Sequence, residues 1–404
     1  MRAYKFRIYP SKKQEELLNK HLWLAKNLWN ELLEFSKQMY TDFGYFPTEN
    51  TLKLMVKRYG IYAQTQQVVA HRVYNSVIRV FKLRKKGIKC GFPRFKSFDR
   101  MKSLRYPQST QGFILDKKLK VTPFGEISIK KHREIKGKIK TLTLKKEASG
   151  KWFAIFCVEE DKQLPKENKG ETIGIDLGLM RFATLSNGFG INNPRYFKKH
   201  EDRLAFIQRK FSFHKKRTKN YKKVKIRVAK LHEKISDCRR DFLHKLSTQL
   251  VSDYSFIALE KLASQEMSEE NYGKQIRDAG WNMFANMLAY KAEGAGCRVL
   301  FVNSEDTSKM CSRCGNIRND MTLRNRKYTC PKCGLSTDRD INAARNILIR
   351  ATPGQGGSNA CNSLQKERDV AVATSVKQEA RTYPRWRYVT NGKIYHREEE
   401  ILAS

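Results

Sequence analysis

The chain has 404 residues, of which 40% are hydrophobic and 11% aromatic, enough apolar side chains for several domains of ordinary size. Lys and Arg number 81 against 40 Asp and Glu, and the formal net charge of +41 predicts a polyanionic partner. No segment approaches the roughly 20 consecutive apolar residues of a membrane span. These features exclude a disordered tail protein, and we expect a cytoplasmic protein that binds nucleic acid and no membrane.

The first residues predict a strand followed by a helical domain. Apolar and basic side chains alternate over residues 4–8 at the period of a half-buried strand. Ser11 stands three residues before Gln14, which is the spacing of a capping box at a helix start. Helical patterns of apolar residues then follow over 17–32 and 69–81. We therefore assign residues 11–111 to a helical domain.

Short alternating runs replace the helical pattern after residue 111. From Gly112 to Glu160 these runs are separated by turn residues such as Pro123 and Gly150, which predicts a small antiparallel β domain. Closure into a barrel would remove its exposed edges. Because the first strand can complete this barrel, we assign residues 1–10 and 112–166 to it.

The second half of the chain mixes strands with helices. Buried-strand patterns occur at 172–178, 255–260 and 298–302, with helical patterns between them, so an α/β layer is expected over 167–305 and 337–352. The sequence beyond Thr352 is polar and has no sustained periodicity. We expect this tail, residues 353–404, to be largely disordered or to dock only on a partner.

Two Cys-x-x-Cys pairs are separated by fifteen residues, which is the spacing of a zinc ribbon with four thiolate ligands. A single pair would also suit a redox role, but two pairs at this spacing favour Zn²⁺. Four thiolates leave no open position for catalysis, so the metal would stabilise a module, residues 306–336, that is too short to have a core. The predicted ligands are Cys311, Cys314, Cys330 and Cys333.

Three acidic residues are candidates for catalysis. Asp176 and Glu260 end strands of buried character, and Asp340 lies at a predicted helix start. Neighbouring carboxylates ionise at little cost only if a cation compensates them, so the trio would imply Mg²⁺ or Mn²⁺ and two-metal hydrolysis of a phosphodiester. The alternatives are a turn residue at Asp176 and a helix cap at Asp338 or Asp340.

The chain resembles the TnpB family, the transposon-associated RNA-guided DNA endonucleases related to type V CRISPR effectors. The resemblance covers residues 1 to about 350 and excludes the tail. The matching segments, taken in chain order, are 4–10, 91–96, 174–178, 240–245, 259–260, 311–314 and 338–344.

This resemblance implies a multidomain α+β protein. Its nuclease domain would have a RuvC-like RNase H fold with an inserted zinc ribbon, beside a β-barrel wedge domain and a helical recognition domain. The acidic trio would fall on Asp176, Glu260 and Asp340, with Asp338 as the alternative third acid. Wedge and recognition domains would together form a basic channel for a guide RNA and its heteroduplex with DNA.

Several further residues are candidates for nucleic-acid contact. Amide side chains on the second predicted helix would reach base edges of a flanking motif, with a solvated helix face as the alternative. A basic loop with interleaved Phe92 and Phe95 suits phosphate contact and stacking, or is a solvated charge run with two core aromatics. A basic face near His244 suits a helix of the nuclease domain. We expect His244 itself to have a structural role and no catalytic one. The candidates are Gln66, Gln67, Asn75, Lys85, Lys86, Lys89, Arg94, Lys96, Arg239, Arg240 and Lys245.

The resemblance thus implies a metal-dependent, RNA-guided endonuclease of a mobile element that cuts double-stranded DNA beside a short motif. The guide RNA would derive from the transposon end, with one protomer for each RNA, in a prokaryotic cytoplasm near the nucleoid. Two alternatives remain: a guide-directed repressor without cleavage, for which a lost acid would be expected, and a transposase that performs strand transfer.

Overall fold

The structure, a computed structural model, describes residues 1–56, 60–109, 111–160, 167–216, 218–261, 273–303, 305–322 and 325–352, with the backbone of 389–390 and 393–394. The chain forms two compact units, Met1–Lys162 with Lys225–Lys230, and Gln163–Val224 with Leu231–Ser404. Within the described ranges no helix is long and apolar enough to cross a membrane. The predicted tail lies outside them, apart from paired strands Val389–Thr390 and Lys393–Ile394.

The first unit contains an antiparallel sheet of seven strands in the order β2-β6-β7-β1-β5-β4-β3. The N-terminal strand β1 pairs with β7 on one side and β5 on the other, so it lies inside the sheet, as its alternation predicts. The strands are β1 (Arg2–Tyr9), β2 (Ser103–Tyr106), β3 (Phe113–Leu115), β4 (Leu119–Val121), β5 (Gly125–Lys130), β6 (Lys138–Lys146) and β7 (Trp152–Glu159).

The boundary at residue 111 between the helical and β domains was wrong by one strand. Residues 103–106 form β2 and pair with β6, although only four residues alternate there and the pattern is too short to detect. The hydroxyl of Tyr106 donates to the Thr122 carbonyl at 2.9 Å, which brings the two ends of the sheet together. No ladder joins β2 to β3 among the described residues, so closure as a barrel stays a prediction.

Three helices complete the first unit: α1 (Lys12–Phe43), α2 (Glu49–Met55) and α3 (Ala63–Lys85). The predicted capping box is present, since Ser11 and Gln14 exchange side chain to backbone hydrogen bonds. Gly44 ends α1 with φ of 73°, a left-handed conformation that glycine adopts without strain. The predicted apolar stripes of α1 and α3 are buried in one core with the sheet. Their members include Leu18, Leu22, Leu28, Val69 and Val73.

The second unit contains a five-stranded sheet in the order β10-β9-β8-β11-β12. The first three strands form an antiparallel meander, and β11 and β12 continue the sheet parallel to β8. The strands are β8 (Glu171–Leu177), β9 (Arg181–Leu185), β10 (Gly190–Asn192), β11 (Tyr254–Glu260) and β12 (Arg298–Val302). This sheet confirms the coarse expectation of mixed α and β structure.

Helices cover both faces of this sheet. They are α4 (Tyr196–Phe213), α5 (Lys219–Asp253), α6 (Gly273–Ala279), α7 (Trp281–Ala295) and α8 (Arg339–Ala351). One face packs on α5 and α7 through side chains such as Leu243, Phe284 and Leu288. The opposite face, which includes Ala258 and Leu300, packs on Ile347 of α8. Short strands β13 (Lys327–Thr329) and β14 (Ser336–Asp338) lie between β12 and α8 in the sequence.

Candidate active site

The alternation of side chains places Asp176 and Glu260 on the same face of the second sheet. On β8, Ile173, Ile175 and Leu177 enter the core with α5 and α7. Successive side chains of a strand point to opposite faces, so Asp176 points to the α8 face. Likewise Ile257 and Leu259 of β11 enter the α5 and α7 core, which turns Glu260 to the α8 face.

The register of the strands makes these two acids neighbours. In the parallel pair β8 and β11, Ile175 lies opposite Leu259. Asp176 and Glu260 each follow by one residue, at the carboxyl ends of strands spaced about 4.8 Å apart. The sheet therefore brings together two acids that lie 84 positions apart in the chain.

The third candidate acid lies in the first turn of α8. Asp338 is the N-cap of this helix, because its Oδ1 accepts the backbone N–H groups of Asp340 at 2.8 Å and Ile341 at 3.4 Å. Asp340 is not used for capping, and its carboxylate contacts Arg339 at 3.1 Å and Arg326 at 3.7 Å. The two acids of this segment thus have different structural roles.

A glycine lets α8 lie directly on β8. A Cβ atom added at Gly174 would be 2.1 Å from the carbonyl oxygen of Ala344. Asp176 lies two strand residues from Gly174, about 6.6 Å at 3.3 Å per residue. Asp340 lies four helix residues from Ala344, about 6 Å at 1.5 Å per residue. These matched lengths bring the start of α8 to the end of β8, where Asp176 and Glu260 lie.

Burial raises the pKa of two of these acids, and neighbouring negative charges add to the shift of Asp176. Burial, and then the charges of Glu260 and Asp340, raise the pKa of Asp176 well above its usual range against the effect of Arg339. Burial raises the pKa of Glu260 to about 7, although Arg350 and a hydrogen bond with Thr307 oppose this shift. Burial and like charges both favour the neutral form of a carboxyl group.

These acids fit a divalent cation in their chemistry. Hard cations such as Mg²⁺ prefer carboxylate oxygens, and a cation would favour the ionised form of both shifted acids. Within the described part of the chain, no hydrogen bond or ion pair engages the carboxylate of Asp176. The carboxylate of Asp340 is instead neutralised by Arg339 and Arg326.

The four predicted cysteine ligands meet at one point. Their Sγ atoms all lie within 4.8 Å of one another, with Cys311 to Cys333 at 3.6 Å and Cys314 to Cys330 at 3.5 Å. They are the one group of at least three ligand residues gathered this closely among the described residues. Four convergent thiols can hold a single metal ion in the tetrahedral geometry of a structural site.

The two halves of the cysteine cluster repeat the same turn. After each pair a glycine with positive φ, Gly315 at 73° and Gly334 at 69°, turns the chain. Each glycine N–H donates to the carbonyl of the first cysteine of its pair, at 3.0 Å and 3.1 Å. Burial raises the pKa of Cys311, whereas backbone N–H groups of Cys333 and Lys332 outweigh burial and lower the pKa of Cys330. These donors favour a thiolate at Cys330.

The structure disagrees with two of the predicted nucleic-acid contacts. Gln66 is 5% exposed, and its amide donates to the Ile61 carbonyl in the interior of the first unit. Arg239 forms a salt bridge of 2.8 Å with Asp278, whose side chain is 9% exposed, and this pair joins α5 to α6. Gln66 lies on the core-facing side of its helix, and the Arg239 side chain is 19% exposed. The sequence pattern did not reveal this because polar residues are usually exposed.

The remaining predicted contacts are accessible to different extents. The Asn75 amide nitrogen donates to Nε2 of His71 at 2.9 Å, and Lys245 pairs with Asp241 at 2.7 Å, so both have partners on their own helices. The Lys96 ammonium lies 3.0 Å from the centre of the Trp29 ring. Arg240 pairs with Asp237 at 3.3 Å. The exposed members are Gln67, Asn75, Lys85, Lys86, Lys89, Arg94 and Lys245.

Residues that surround Asp340 and set the position of α8 were not predicted from the sequence. Arg326 and Arg339 contact Asp340, and Gly174 sets the approach of α8. Asn342 and Asn346 are fully buried on α8, where their four-residue spacing on a helix with buried Ala343 and Ile347 is the signal that was available. A polar pair on the core face of a helix indicates buried hydrogen bonds.

Comparison with known proteins shows which families the chain is similar to. Residues 155–271 match the family described as "Probable transposase" (OrfB_IS605), residues 281–347 match "Cas12f1-like, TNB domain", and residues 1–44 match "Helix-turn-helix domain". A Streptomyces pristinaespiralis protein named as a candidate RNA-guided DNA endonuclease is 29% identical over 94% of this chain and 96% of its own length. By these matches the chain is similar to the TnpB family over most of its length.

Other relatives agree with this similarity. A TnpB-like protein of Acanthamoeba polyphaga mimivirus is 23% identical over 85% of this chain and 72% of its own length. The CRISPR-associated endodeoxyribonuclease Cas12f1 of Sulfoacidibacillus thermotolerans is 31% identical over 30% of this chain and 29% of its own. A solved Cas12f1 complex with its guide RNA and target DNA has a TM-score of 0.57 at 15% identity, covering 85% of this chain and 83% of that one. This last likeness shows the fold alone.

Proposed function

We propose that this protein is an RNA-guided, metal-dependent DNA endonuclease of a mobile element, which cuts double-stranded DNA next to a short flanking motif. The names of its relatives support this activity. The observation that carries the proposal is the convergence of Asp176 and Glu260 at adjacent strand ends with Asp340 at the start of α8.

The nuclease domain is proposed to be RuvC-like. An antiparallel meander followed by two parallel strands, with helices on both faces, supports an RNase H fold for residues 167–305 and 337–352. Residues 306–336 would be the inserted zinc ribbon, with Zn²⁺ on the four cysteines. The first sheet, which includes residues 103–106, would be the wedge domain, and α1 to α3 would belong to the recognition domain.

Asp176, Glu260 and Asp340 would hold Mg²⁺ or Mn²⁺. The bound ions would activate water and stabilise the leaving oxygen of the phosphodiester. The capping role of Asp338 supports Asp340 as the third ligand, since an acid that accepts two backbone N–H groups has fewer free lone pairs. Arg339 and Arg326 form ion pairs with the Asp340 carboxylate, and a bound cation would take their place.

Guide RNA and DNA would be bound through exposed cations and amides of both units. The net charge of +41 supports a polyanionic partner. With Gln66 and Arg239 withdrawn, the proposed contacts are Gln67, Asn75, Lys85, Lys86, Lys89, Arg94, Lys96, Arg240 and Lys245. Relatives such as the Streptomyces protein support a prokaryotic host.

The test is to express the chain with its native flanking DNA, sequence the RNA that purifies with it, and assay cutting of a library of matched plasmids with Mg²⁺. We expect one discrete RNA that ends in a guide, and cutting beside one enriched motif. The control is Asp176→Asn, which should retain the RNA and bind the same target without cutting it. A variant that still cuts would remove Asp176 from the site.

The same assay separates the two alternatives. A discrete RNA with motif-dependent binding and no cutting by the wild type would favour a guide-directed repressor. DNA joining with no RNA bound would favour a transposase.

A further inference from the structure

Two buried asparagines on α8 bind the backbone around the first zinc-ligand cysteine. The Asn342 amide donates to the Met310 carbonyl at 2.6 Å, and its Oδ1 accepts the Ser312 N–H at 2.9 Å. The Asn346 amide donates to the same Met310 carbonyl at 2.6 Å and to the Thr307 carbonyl at 2.8 Å. Both residues flanking Cys311 are therefore held by side chains of one helix.

The same helix carries the candidate catalytic acid. Asp340 precedes Asn342 by two residues and lies in the first turn of α8. Arg326 of the ribbon contacts this turn from a second side. Its guanidinium pairs with the Asp340 carboxylate at 3.7 Å, and the Arg326 backbone carbonyl accepts the Arg339 N–H at 2.8 Å. The cysteine cluster and Asp340 are thus joined by two short connections through α8.

The burial of these two asparagines in the core has a cost in free energy. Asn342 and Asn346 are 0% exposed, and the Oδ1 atom of Asn346 has no hydrogen-bond partner although it is buried. A buried polar atom without a partner costs about 1–3 kcal/mol, and apolar side chains of the same size can replace buried polar pairs at no net loss. Packing therefore does not explain the pair, whereas directional bonds fix where the helix lies relative to the cysteines.

We propose that Asn342 and Asn346 are positioning residues that couple the zinc-loaded cysteine cluster to the placement of Asp340. When the cluster is loaded, Met310 and Ser312 are rigid, so their bonds fix the first turn of α8 over Asp176 and Glu260. When zinc is lost, the backbone of Met310 and Ser312 becomes mobile, and α8 loses two fixed contacts next to Asp340. The role in cleavage rests on the proposed function, but the coupling is a property of the protein alone.

Such a coupling must act in both directions. If zinc in the cluster tightens a divalent cation at the acids, the cation tightens zinc by the same factor, and typical couplings are about 5- to 150-fold. The factor is measurable without DNA cleavage.

The experiment measures Mn²⁺ binding to the full-length chain by electron paramagnetic resonance of free Mn²⁺. The amount of Mn²⁺ bound at the acids is the difference between the binding of a protein and that of its Asp176→Asn counterpart. This subtraction removes the contribution of Mn²⁺ bound elsewhere on the chain. Each protein is measured zinc-loaded and after a zinc-selective chelator. For the wild type we expect at least about fivefold tighter Mn²⁺ binding with zinc present.

The decisive variants are Asn342→Leu and Asn346→Leu, which keep a branched side chain with the same number of heavy atoms and remove the bonds. We expect the zinc-dependent ratio of Mn²⁺ affinities to fall towards one in both, and zinc release to a chelator to become faster. The matched control is Asn168→Leu, which removes three comparable bonds, to the Val251 and Tyr254 carbonyls and from the Gly170 N–H, at the other end of β8. It should lower stability and keep the wild-type ratio.

An unchanged ratio in both leucine variants would overturn the proposal, as would a wild type whose Mn²⁺ affinity ignores zinc. The measurement on the wild type does not depend on whether any variant folds. A protein that shows the coupling but cuts no DNA would contradict the proposed function and leave this inference standing.

Discussion

At the scale of single residues, the site is governed by the cost of ionising crowded acids. Asp176 has no ion-pair partner within the described residues, and Glu260 ionises only near neutral pH because it is buried. The sequence could predict these acids from their positions after buried runs. The sequence could not predict the pKa shifts of these acids. The shifts depend on how β8 and β11, which are separated by long helices in the chain, pack together in the fold.

Glu260→Gln should stabilise the metal-free protein at pH 8. The folded-state pKa of about 7 lies above the ordinary 4.5, so the folded state binds more protons and loses stability as pH rises from about 4.5 to 7. Gln lacks this penalty, so we expect a gain of about 1–3 kcal/mol at pH 8 and none at pH 4. Urea unfolding at the two pH values checks this, with the exposed Asp241→Asn as the control. Equal stability of Glu260→Gln and wild type at pH 8 would contradict the shift.

Substitution of Asp338 and Asp340 should have different effects. Asn is as good an N-cap as Asp, so Asp338→Asn should keep α8 and most of the cleavage rate. Asp340→Asn removes a proposed metal ligand, so cleavage should fall at least about 10³-fold, by roughly 4 kcal/mol or more of transition-state stabilisation. Cleavage rates of matched preparations at saturating Mg²⁺ test this. The reverse order of activities would make Asp338 the third ligand.

At the scale of elements, the contact of α8 with β8 decides the geometry. The strand pattern of residues 172–178 and the helix after Asp338 were both predictable. Their contact was not, because it depends on the absence of a side chain at Gly174, and a glycine in a strand has several explanations. The four-cysteine cluster is the opposite case, since the spacing of the cysteines is local and predicted that they meet.

Gly174→Ala should push α8 away from β8. The new Cβ would lie 2.1 Å from the Ala344 carbonyl, so the backbone must move, at a cost of about 1–3 kcal/mol of unfolding free energy. We expect weaker Mn²⁺ binding at the acids as well. Gly294→Ala in α7 is the control, because its Cβ meets nothing within 4 Å and should gain about 0.5–1 kcal/mol. Thermal unfolding of both variants checks the signs.

Cys330→Ser should remove the ribbon metal. Three thiolates bind Zn²⁺ more weakly than four, and the metal contributes most of the folding energy of so small a module. Elemental analysis should fall from about one zinc per chain to near zero after dialysis against chelator. Cys238→Ser, outside the cluster, should keep its zinc. Full zinc content in Cys330→Ser would refute the ribbon.

At the scale of the whole molecule, the excess of 41 positive charges dominates. Like charges repel within a folded protein, so this excess is explained by a partner that neutralises it. Its prediction needs no structure, because charge is a sum over residues. Which cations reach the partner does need the structure, as the partly buried salt bridge between Arg239 and Asp278 demonstrates.

Affinity for the guide RNA should fall steeply with salt. Each phosphate neutralised on a single strand contributes about −0.7 to the slope of log K against log salt concentration, so six contacts would lose about 10²-fold or more between 50 and 200 mM. Lys85→Gln with Lys89→Gln should reduce that slope by about 1.4. The control is Lys53→Gln. The Lys53 ammonium pairs with Glu49 within α2, so this variant removes a positive charge at a position where no RNA contact is expected. A flat salt response would argue against binding through phosphates.

The alternation in β1, the capping box of α1, the zinc ligands and the total charge all follow from residues close in the chain or from sums over it, and the sequence alone predicts them. The meeting of Asp176, Glu260 and Asp340, the burial of Gln66 and the anchoring of the ribbon by Asn342 and Asn346 depend on contacts between residues far apart in the chain. Local propensities act over a few residues, whereas such contacts form only when whole elements pack, so they were decided by the fold.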